Sequence, residues 1–449
     1  MMDKARKLSG DVLTKITKEG AYSGAALDEA LSSASLTDQD KGFATELVYG
    51  TLSRLWSIDE IIGTYSKVKI RKMEDTVLSA LRIAIYQILY LDRVPPFAAV
   101  DEAVKIVRKK SPRGAGFVNG ILRSILREEK EIRHASKLDR LSFEYSLKPE
   151  LTLHLMKDYP ADAETILKNS LAPEGLSIRI NERKISIEAY RLKLDERGIQ
   201  YRTGWFSHRF LVLDRQGAVR DLPGFQEGWF SVQNEAAALP PLFMAELVKE
   251  GRVLDLCAAP GGKSALMKEQ GGEAVTVTAF DLSSEKLSRM EENFNRLGLS
   301  IETRAEDATK FLPELEASAE GVLLDVPCSG LGLLGRKPDI RQNMDLKGMA
   351  ELKTIQEAIL NNGARYVQGG GHLIYSTCTL NRAENEENVL SFLRNHPEFC
   401  IVSQFGEDLL EKQNIGKNHI RLKDGMITVL PGDGLDGFFV AVLKKDKTS

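Results

Sequence analysis

Four cysteines in 449 residues, with no C-x-x-C pair among them, exclude a zinc-ribbon framework and a disulfide scaffold and suit a reducing compartment. Long hydrophobic runs are missing too. The most apolar stretch, Leu81 to Leu91, falls well short of the roughly 18 residues a membrane span needs, and Met1 to Gly20 is charged throughout, unlike a secretory leader. Internal repeats and low-complexity tracts are absent. These absences predict a soluble protein of the cytoplasm, with no metal site and no membrane partner.

Charge is nearly balanced, 61 Lys+Arg against 64 Asp+Glu, but it is unevenly spread. Residues 1 to 140 hold 24 basic and 19 acidic residues, a net of +5, while the remainder carries −8. Lys105, Arg108, Lys109, Lys110, Arg113, Arg123 and Arg127 crowd together. That cluster is either a solvated helix face or a phosphate-binding surface. With 43% hydrophobic residues the chain is globular, and its length implies about two to four domains.

Residues 1 to 140 read as an all-helical bundle. Apolar residues recur at three- and four-residue spacings over Ala26 to Leu31, Phe43 to Trp56, Asp59 to Tyr65, Thr76 to Leu91, Ala98 to Lys109 and Ala115 to Arg127, with breaks expected at Gly50, Pro95, Pro96 and Pro112. Residues 141 to 170 form a helical connector around Pro160. From 171 to 224 short strands at Ser177 to Ile180, Tyr201 to Arg202 and Phe210 to Leu213 surround a helix at Ser186 to Arg197, a small α+β unit. Residues 176 to 220 hold 10 Lys+Arg against 5 Asp+Glu, and Arg179 and Arg183 are candidates to touch phosphate.

Residues 225 to 449 read as a doubly wound α/β sheet. Strands at Val253 to Leu256, Val275 to Phe280, Ile301 to Thr303, Val322 to Asp325 and His372 to Ser376 alternate with helices near Lys263 to Gln270, Ser284 to Leu297, Leu346 to Gln368 and Ala383 to Arg394. The tail adds two strands, Ile427 to Leu430 and Gly437 to Leu443, as an antiparallel edge. Three stretches of this domain carry chemistry. RVLDLCAAPGGKS, Arg252 to Ser264, is a strand, a Gly-rich turn and a helix start, which together make a ligand edge of backbone N–H groups. Gly261 and Gly262 let the chain pass close to a ligand. Asp281, 19 residues after Gly262, stands where a nucleotide fold holds a ribose. GVLLDVPCS and GHLIYSTCT each end a buried strand in a polar loop with one cysteine, Cys328 or Cys378, so two thiols face one crevice.

Together DLCAAPGGK, DVPCSG and YSTCT resemble the cofactor-binding and two catalytic motifs of the RNA cytosine-5 methyltransferases. ELVYGTL, VPPFAAVDEAV and FVNGILR resemble the antitermination-factor, NusB-like RNA-binding domain carried by the bacterial 16S rRNA branch. The resemblance spans nearly the whole chain. It implies a NusB-like bundle, an RRM-like α+β subdomain and a Rossmann-like class I methyltransferase domain; S-adenosyl-L-methionine as cofactor; 16S rRNA as partner, with the target cytosine at position 967; and a monomer.

The resemblance also assigns roles. Carbon 5 of cytosine is not nucleophilic, so a thiolate must first add at carbon 6, and a second group must help the adduct break down. Cys378 matches the nucleophile and Cys328 the cysteine that assists release. Asp325 matches the acid beside the base's N3 or amino edge, and Lys263 lies near the reacting groups. Cofactor contacts carry over to Cys257, Ala258, Ala259, Pro260, Gly261, Gly262 and Lys263, to Asp281 for the ribose, to Asp307 for the adenine amino group, and to Asp325. Val326 departs from the usual alanine. Arg336, Lys337 and Arg341, just past the Cys328 loop, are candidates to hold the RNA backbone.

Other readings remain. Cys400, in an expected strand at Phe399 to Val402, fits a buried core position, and Cys257 contributes its backbone rather than its thiol. Asp255 either shapes the cofactor loop or caps a strand. CAAPGGKS imitates a P-loop, but Cys257 replaces its first glycine and Pro260 removes an N–H. A ribosome assembly factor without activity is the non-enzymatic alternative, and another rRNA cytosine or a tRNA is the alternative substrate.

Overall fold

Apolar periodicity in the first third of the chain gives helices, and the most apolar stretch gives the helix at their centre. The computed structural model describes all residues except 1–2, 129, 131, 172–174, 215–216, 413–418 and 448–449; the expected start of the small α+β domain therefore lies beside residues outside the described set. Two compact units result, one of Met1–Leu171 with Leu334–Asp345, the other of Ala172–Leu333 with Leu346–Ser449.

In the first unit, Asp75–Tyr90 is buried continuously from Val77 to Gln87, as a helix apolar on every face must be. Lys4–Glu19, Asp38–Ser53, Pro96–Lys110 and Pro112–Arg127 pack around it. The starts follow local chemistry. Asp3, Thr37 and Ser111 cap the N–H groups of Arg6, Asp40 and Gly114, and Pro96 and Pro112 occupy the first turn, where no N–H is needed. The break expected at Gly50 does not occur. The helix runs on to Ser53 and the chain re-starts at Leu55–Tyr65; Gly50 is instead a packing position, since a Cβ there would lie 2.0 Å from the Tyr86 ring. The connector holds three helices, Lys137–Glu144, Pro149–Asp158 and Ala163–Asn169, of which the first was not anticipated.

Leu334–Asp345 joins this unit through Arg341, which corrects its assignment as an RNA contact. The Arg341 side chain is fully buried. Its guanidinium donates to the carbonyls of Leu334, Tyr145, Ser146 and Ser170 and to Ser170 Oγ. Five acceptors of its own unit use it up.

The second unit opens with strands β1 (Leu176–Ile180), β2 (Gln200–Thr203), β3 (Phe210–Asp214) and β4 (Phe230–Val232), an antiparallel sheet in the order β2-β3-β1-β4 with the helix Ile187–Asp195 packed on it. The three expected strands and the helix are present; β4 was missed, being only three residues long. Arg179, a second phosphate candidate, is 1% exposed and ion-paired with Glu269 of the following domain. It braces the small sheet against that domain. Glu235 ties the same two parts together by accepting the N–H groups of Trp205, Phe206 and Ser207.

The large sheet comprises β5 (Gly251–Asp255), β6 (Val275–Asp281), β7 (Glu302–Ala305), β8 (Ala319–Asp325), β9 (Val367–Thr377), β10 (Phe399–Ile401), β11 (Ile420–Lys423), β12 (Met426–Val429) and β13 (Phe438–Lys445). Its order is β11-β12-β13-β9-β8-β5-β6-β7, with β10 also paired to β13. β7, β6, β5, β8 and β9 are parallel, and β13 is antiparallel to β9. The chain winds outward from β5 through β6 and β7, then returns to β8 and β9 on the other side. This reversal opens a crevice at the carboxyl ends of β5 and β8. The tail contributes the expected pair, the strand expected at Phe399 to Val402 as β10, and one strand more, β11. Cys400 does lie in a strand, but its residue is exposed rather than core, because β10 turns that face outward.

Candidate active site

Every strand bordering the crevice delivers a polar residue to it. β8 ends in Asp325 and β9 in Thr377, and their parallel register sets Asp325 beside Ser376. The loops that follow therefore leave side by side. Cys328 Sγ and Cys378 Sγ lie 3.3 Å apart. Hydrogen bonding to Cys378, then burial, holds the Cys328 thiol well above the ordinary cysteine value.

Lys263, at the start of the helix Gly262–Gly271, places Nζ 2.6 Å from Asp325 Oδ2. Ser376 Oγ donates to the other oxygen at 2.9 Å, so the carboxylate is fixed from two sides. The Lys263 ammonium also faces the Phe438 ring, 5.4 Å from its centroid. Burial works against this charge, but Asp325 overcomes it and holds Lys263 above the ordinary lysine value.

The Gly-rich turn follows β5. Gly261 has φ 94°, and a Cβ there would lie 2.4 Å from Met290 Cγ, so only glycine brings the turn this close to the helix Ser284–Leu297. The helix Gly262–Gly271 has no capping side chain. Asp255, buried at the end of β5, accepts Ser264 Oγ at 2.6 Å through Oδ2, which favours its reading as a shaper of the loop. Its Oδ1 is buried without a hydrogen-bond partner. Burial pushes Asp255 up to about 7. The Cys257 thiol is raised well above its ordinary value by burial, consistent with a backbone role.

Asp281 ends β6 and accepts the Ser283 N–H at 3.0 Å. Asp307, two residues past β7, accepts both the N–H and the hydroxyl of Thr309, which hold its carboxyl below the usual range. Cys257, Asp281, Asp307, Asp325 and Cys378 thus follow or end five parallel strands along one edge of the sheet. Of the basic residues past the Cys328 loop, Arg341 is absent from this edge for the reason given above. No group of three His, Cys, Asp or Glu side chains that could hold a metal occurs among the described residues, and no helix among them is long and apolar enough to cross a membrane.

Residues 243–444 match the family model described as 16S rRNA methyltransferase RsmB/F. The probable ribosomal RNA small subunit methyltransferase B of Bacillus subtilis (strain 168) is 35% identical over 98% of both chains. The chain belongs to the RsmB/F family of rRNA methyltransferases. Ribosomal RNA small subunit methyltransferase B of Pseudomonas putida is 31% identical over 91% of each chain. The other two domains of this RsmB/F member also match: residues 3–127 the NusB family and residues 151–220 the ferredoxin-like domain of RsmF/B-like methyltransferases, as the helical and α+β readings expected. Its fold resembles the crystal structure of PH0851, with TM-score 0.81 and 24% identity over 99% of this chain and 100% of that one. It also resembles that of NSun6 from Pyrococcus horikoshii with SFG, with TM-score 0.57 and 22% identity over 66% and 97%.

Proposed function

We propose that the protein transfers a methyl group from S-adenosyl-L-methionine to carbon 5 of one cytosine of 16S rRNA, through an adduct between Cys378 and carbon 6 of the base. The observation that carries this reading is the pair of sulfurs 3.3 Å apart beside the Lys263–Asp325 ion pair. A single core cysteine needs no such company.

The residues at the crevice suit the cofactor. Its amino-acid end bears a carboxylate and an ammonium. An uncapped helix start at Gly262 keeps N–H groups for the first, and the partnerless, buried Asp255 Oδ1 suits the second. Asp281 takes the ribose hydroxyls and Asp307 the adenine amino group, with Cys257 to Gly261 contributing backbone. Bound there, S-adenosyl-L-methionine supplies an electrophilic methyl group.

The chain's own groups do the rest. Cys328, the protonated member of the pair, donates its S–H to Cys378 and favours the thiolate there. Addition of Cys378 to carbon 6 moves electron density onto carbon 5. Asp325, fixed by Lys263 and Ser376, accepts the base's amino edge. Once carbon 5 is methylated, its proton passes to solvent water as the C5–C6 double bond re-forms and Cys378 leaves as a thiolate, which the Cys328 S–H stabilises.

The base must leave any stack to reach these thiols, at a cost of a few kcal/mol that is least in a loop; the family resemblance points to position 967, in a hairpin loop of rRNA not yet assembled into a subunit. Arg108, Lys109 and Arg113 are exposed and carry no ion pair among the described residues, whereas Lys105 is neutralised by Asp101 and Glu102. These three are the phosphate contacts. The protein works as a monomer in the cytoplasm, where rRNA is made. Bisulfite sequencing of 16S rRNA from cells lacking it tests the assignment: one protected cytosine is expected to disappear, and an unchanged 16S pattern contradicts it, with a signal lost from tRNA pointing to that substrate.

A further inference from the structure

Behind the two thiols lies a buried carboxylate to which the mechanism above gives no task. Glu384, in the loop that follows Cys378, has no solvent exposure and no basic partner among the described residues. Four donors surround it instead. Ser329 gives its N–H at 2.9 Å and its hydroxyl in a short hydrogen bond, Gln356 Nε2 donates at 2.7 Å, and Asn381 Nδ2 at 2.8 Å. All four are donors, so the group is used as a pure acceptor, the form of an ionised carboxylate.

A buried charge without a counter-ion costs stability. What it secures is visible in its partners. Ser329 is the residue after Cys328, and Thr379 the residue after Cys378. Thr379 Oγ1 takes the N–H groups of Leu331 at 3.3 Å and Asn381 at 3.2 Å, which leaves its own proton for Ser329 Oγ at 2.7 Å. Ser329 then passes its proton on to Glu384. The chain of hydroxyls runs one way, from the Cys378 loop through the Cys328 loop into the carboxylate. Gln356 extends the clamp, since the same Nε2 that reaches Glu384 also donates to the Pro327 carbonyl at 2.9 Å, on the other side of Cys328. Tyr375, inside β9, donates to the Glu384 carbonyl at 2.7 Å and anchors the acid to the sheet.

We propose that Glu384 is a positioning residue that locks the Cys328 loop onto the Cys378 loop and so holds the two sulfurs together. The inference rests on the thiol roles proposed above. The same negative charge also helps keep Cys328 in its thiol form, which is the form needed to steady the leaving Cys378. Without the clamp, the Cys328 loop loses both bonds that Ser329 gives to Glu384. The sulfurs drift apart, and adduct breakdown suffers more than adduct formation, because Cys378 stays on its strand end.

The test uses the full-length protein and two independent readouts. The first needs no RNA: diamide takes two hydrogens from a thiol pair, closing a disulfide as its N=N bond is reduced to a hydrazine, and peptide mapping follows the Cys328–Cys378 link. Wild type is expected to close it rapidly and Glu384→Gln at least about tenfold more slowly, as expected when geometry sets an effective concentration. The second readout is the protein–RNA band on a denaturing gel in the presence of S-adenosyl-L-methionine. Glu384→Gln is expected to accumulate it, as Cys328→Ala does, with turnover down on the order of 10²-fold. Should Glu384→Gln fail to fold, Ser329→Ala removes one hydroxyl of the same chain and is expected to shift both readouts in the same direction. A folded variant that closes the disulfide at the wild-type rate and traps no adduct, while Cys328→Ala does trap it, overturns the proposal. If Cys328→Ala traps nothing, the thiol roles fall, and the disulfide rate alone decides whether Glu384 positions the loops.

Discussion

Cys328 and Cys378 leave neighbouring parallel strands with their sulfurs 3.3 Å apart. The register that brings them together is set by the sheet, because Asp325 stands opposite Ser376 and each cysteine lies a few residues further on. The proposed chemistry asks little more of the fold than this juxtaposition and a cofactor beside it.

Lys263→Met removes the cation that fixes Asp325 while keeping the side chain's length. Turnover is expected to fall on the order of 10²-fold, the usual cost of removing one preorganised electrostatic group, with RNA affinity unchanged. Steady-state kinetics paired with a filter-binding assay checks it. An unchanged turnover would make the ion pair with Asp325 purely structural.

Cofactor affinity should depend on pH through Asp255. Burial raises this carboxyl to about 7, so it is protonated below that pH and no longer attracts an ammonium. Titration calorimetry is expected to give weaker binding of S-adenosyl-L-methionine as pH falls from 8 to 6, and Asp255→Asn should flatten the dependence. The sign for folding is opposite to that of an ion-paired carboxylate: the folded value lies above the unfolded 3.8, so the folded protein binds the extra proton and this group's contribution to stability falls as pH rises from about 4 to 7. The same variant should remove that slope from urea melts.

Arg341 and the α-helical arginines separate structure from RNA binding. Arg341→Ala strands four carbonyls and a hydroxyl in a buried site, with an expected loss of about 2–4 kcal/mol in chemical denaturation. Arg108→Ala and Arg113→Ala should leave the melting temperature alone. Each is expected to weaken RNA binding and lower the salt slope by roughly 0.7–0.9 for each phosphate that is no longer neutralised. An unchanged slope in both would remove this face from the RNA path.

Why the sequence foretold some of this and not the rest comes down to range. The strands ending in Asp325 and Thr377 are short apolar runs closed by polar loops, a local pattern that needs no partner to be read, and the helix Ser284–Leu297 matched at both ends. Arg179 and Arg341 were misread because the groups that bury them lie far off in sequence: Glu269 is 90 residues from the first, and Ser170 is 171 from the second. A basic residue in a polar stretch looks exposed until its acceptors are placed. Gly50 misled for a related reason, since the Tyr86 ring that requires it belongs to another helix. Glu384 sits in NRAEN, which reads as ordinary loop; the only local hint was that a small hydroxyl residue follows each cysteine, Ser329 after Cys328 and Thr379 after Cys378.

Covalent catalysis is tested most directly by incubating each cysteine variant with 16S rRNA and S-adenosyl-L-methionine and running the products on a denaturing gel. Cys328→Ala is predicted to form a protein–RNA band that requires the cofactor and vanishes in the Cys328→Ala/Cys378→Ala double variant, while Cys378→Ala forms none and transfers no methyl group. A trapped band with Cys378→Ala in place of Cys328→Ala would contradict the account and make Cys328 the nucleophile.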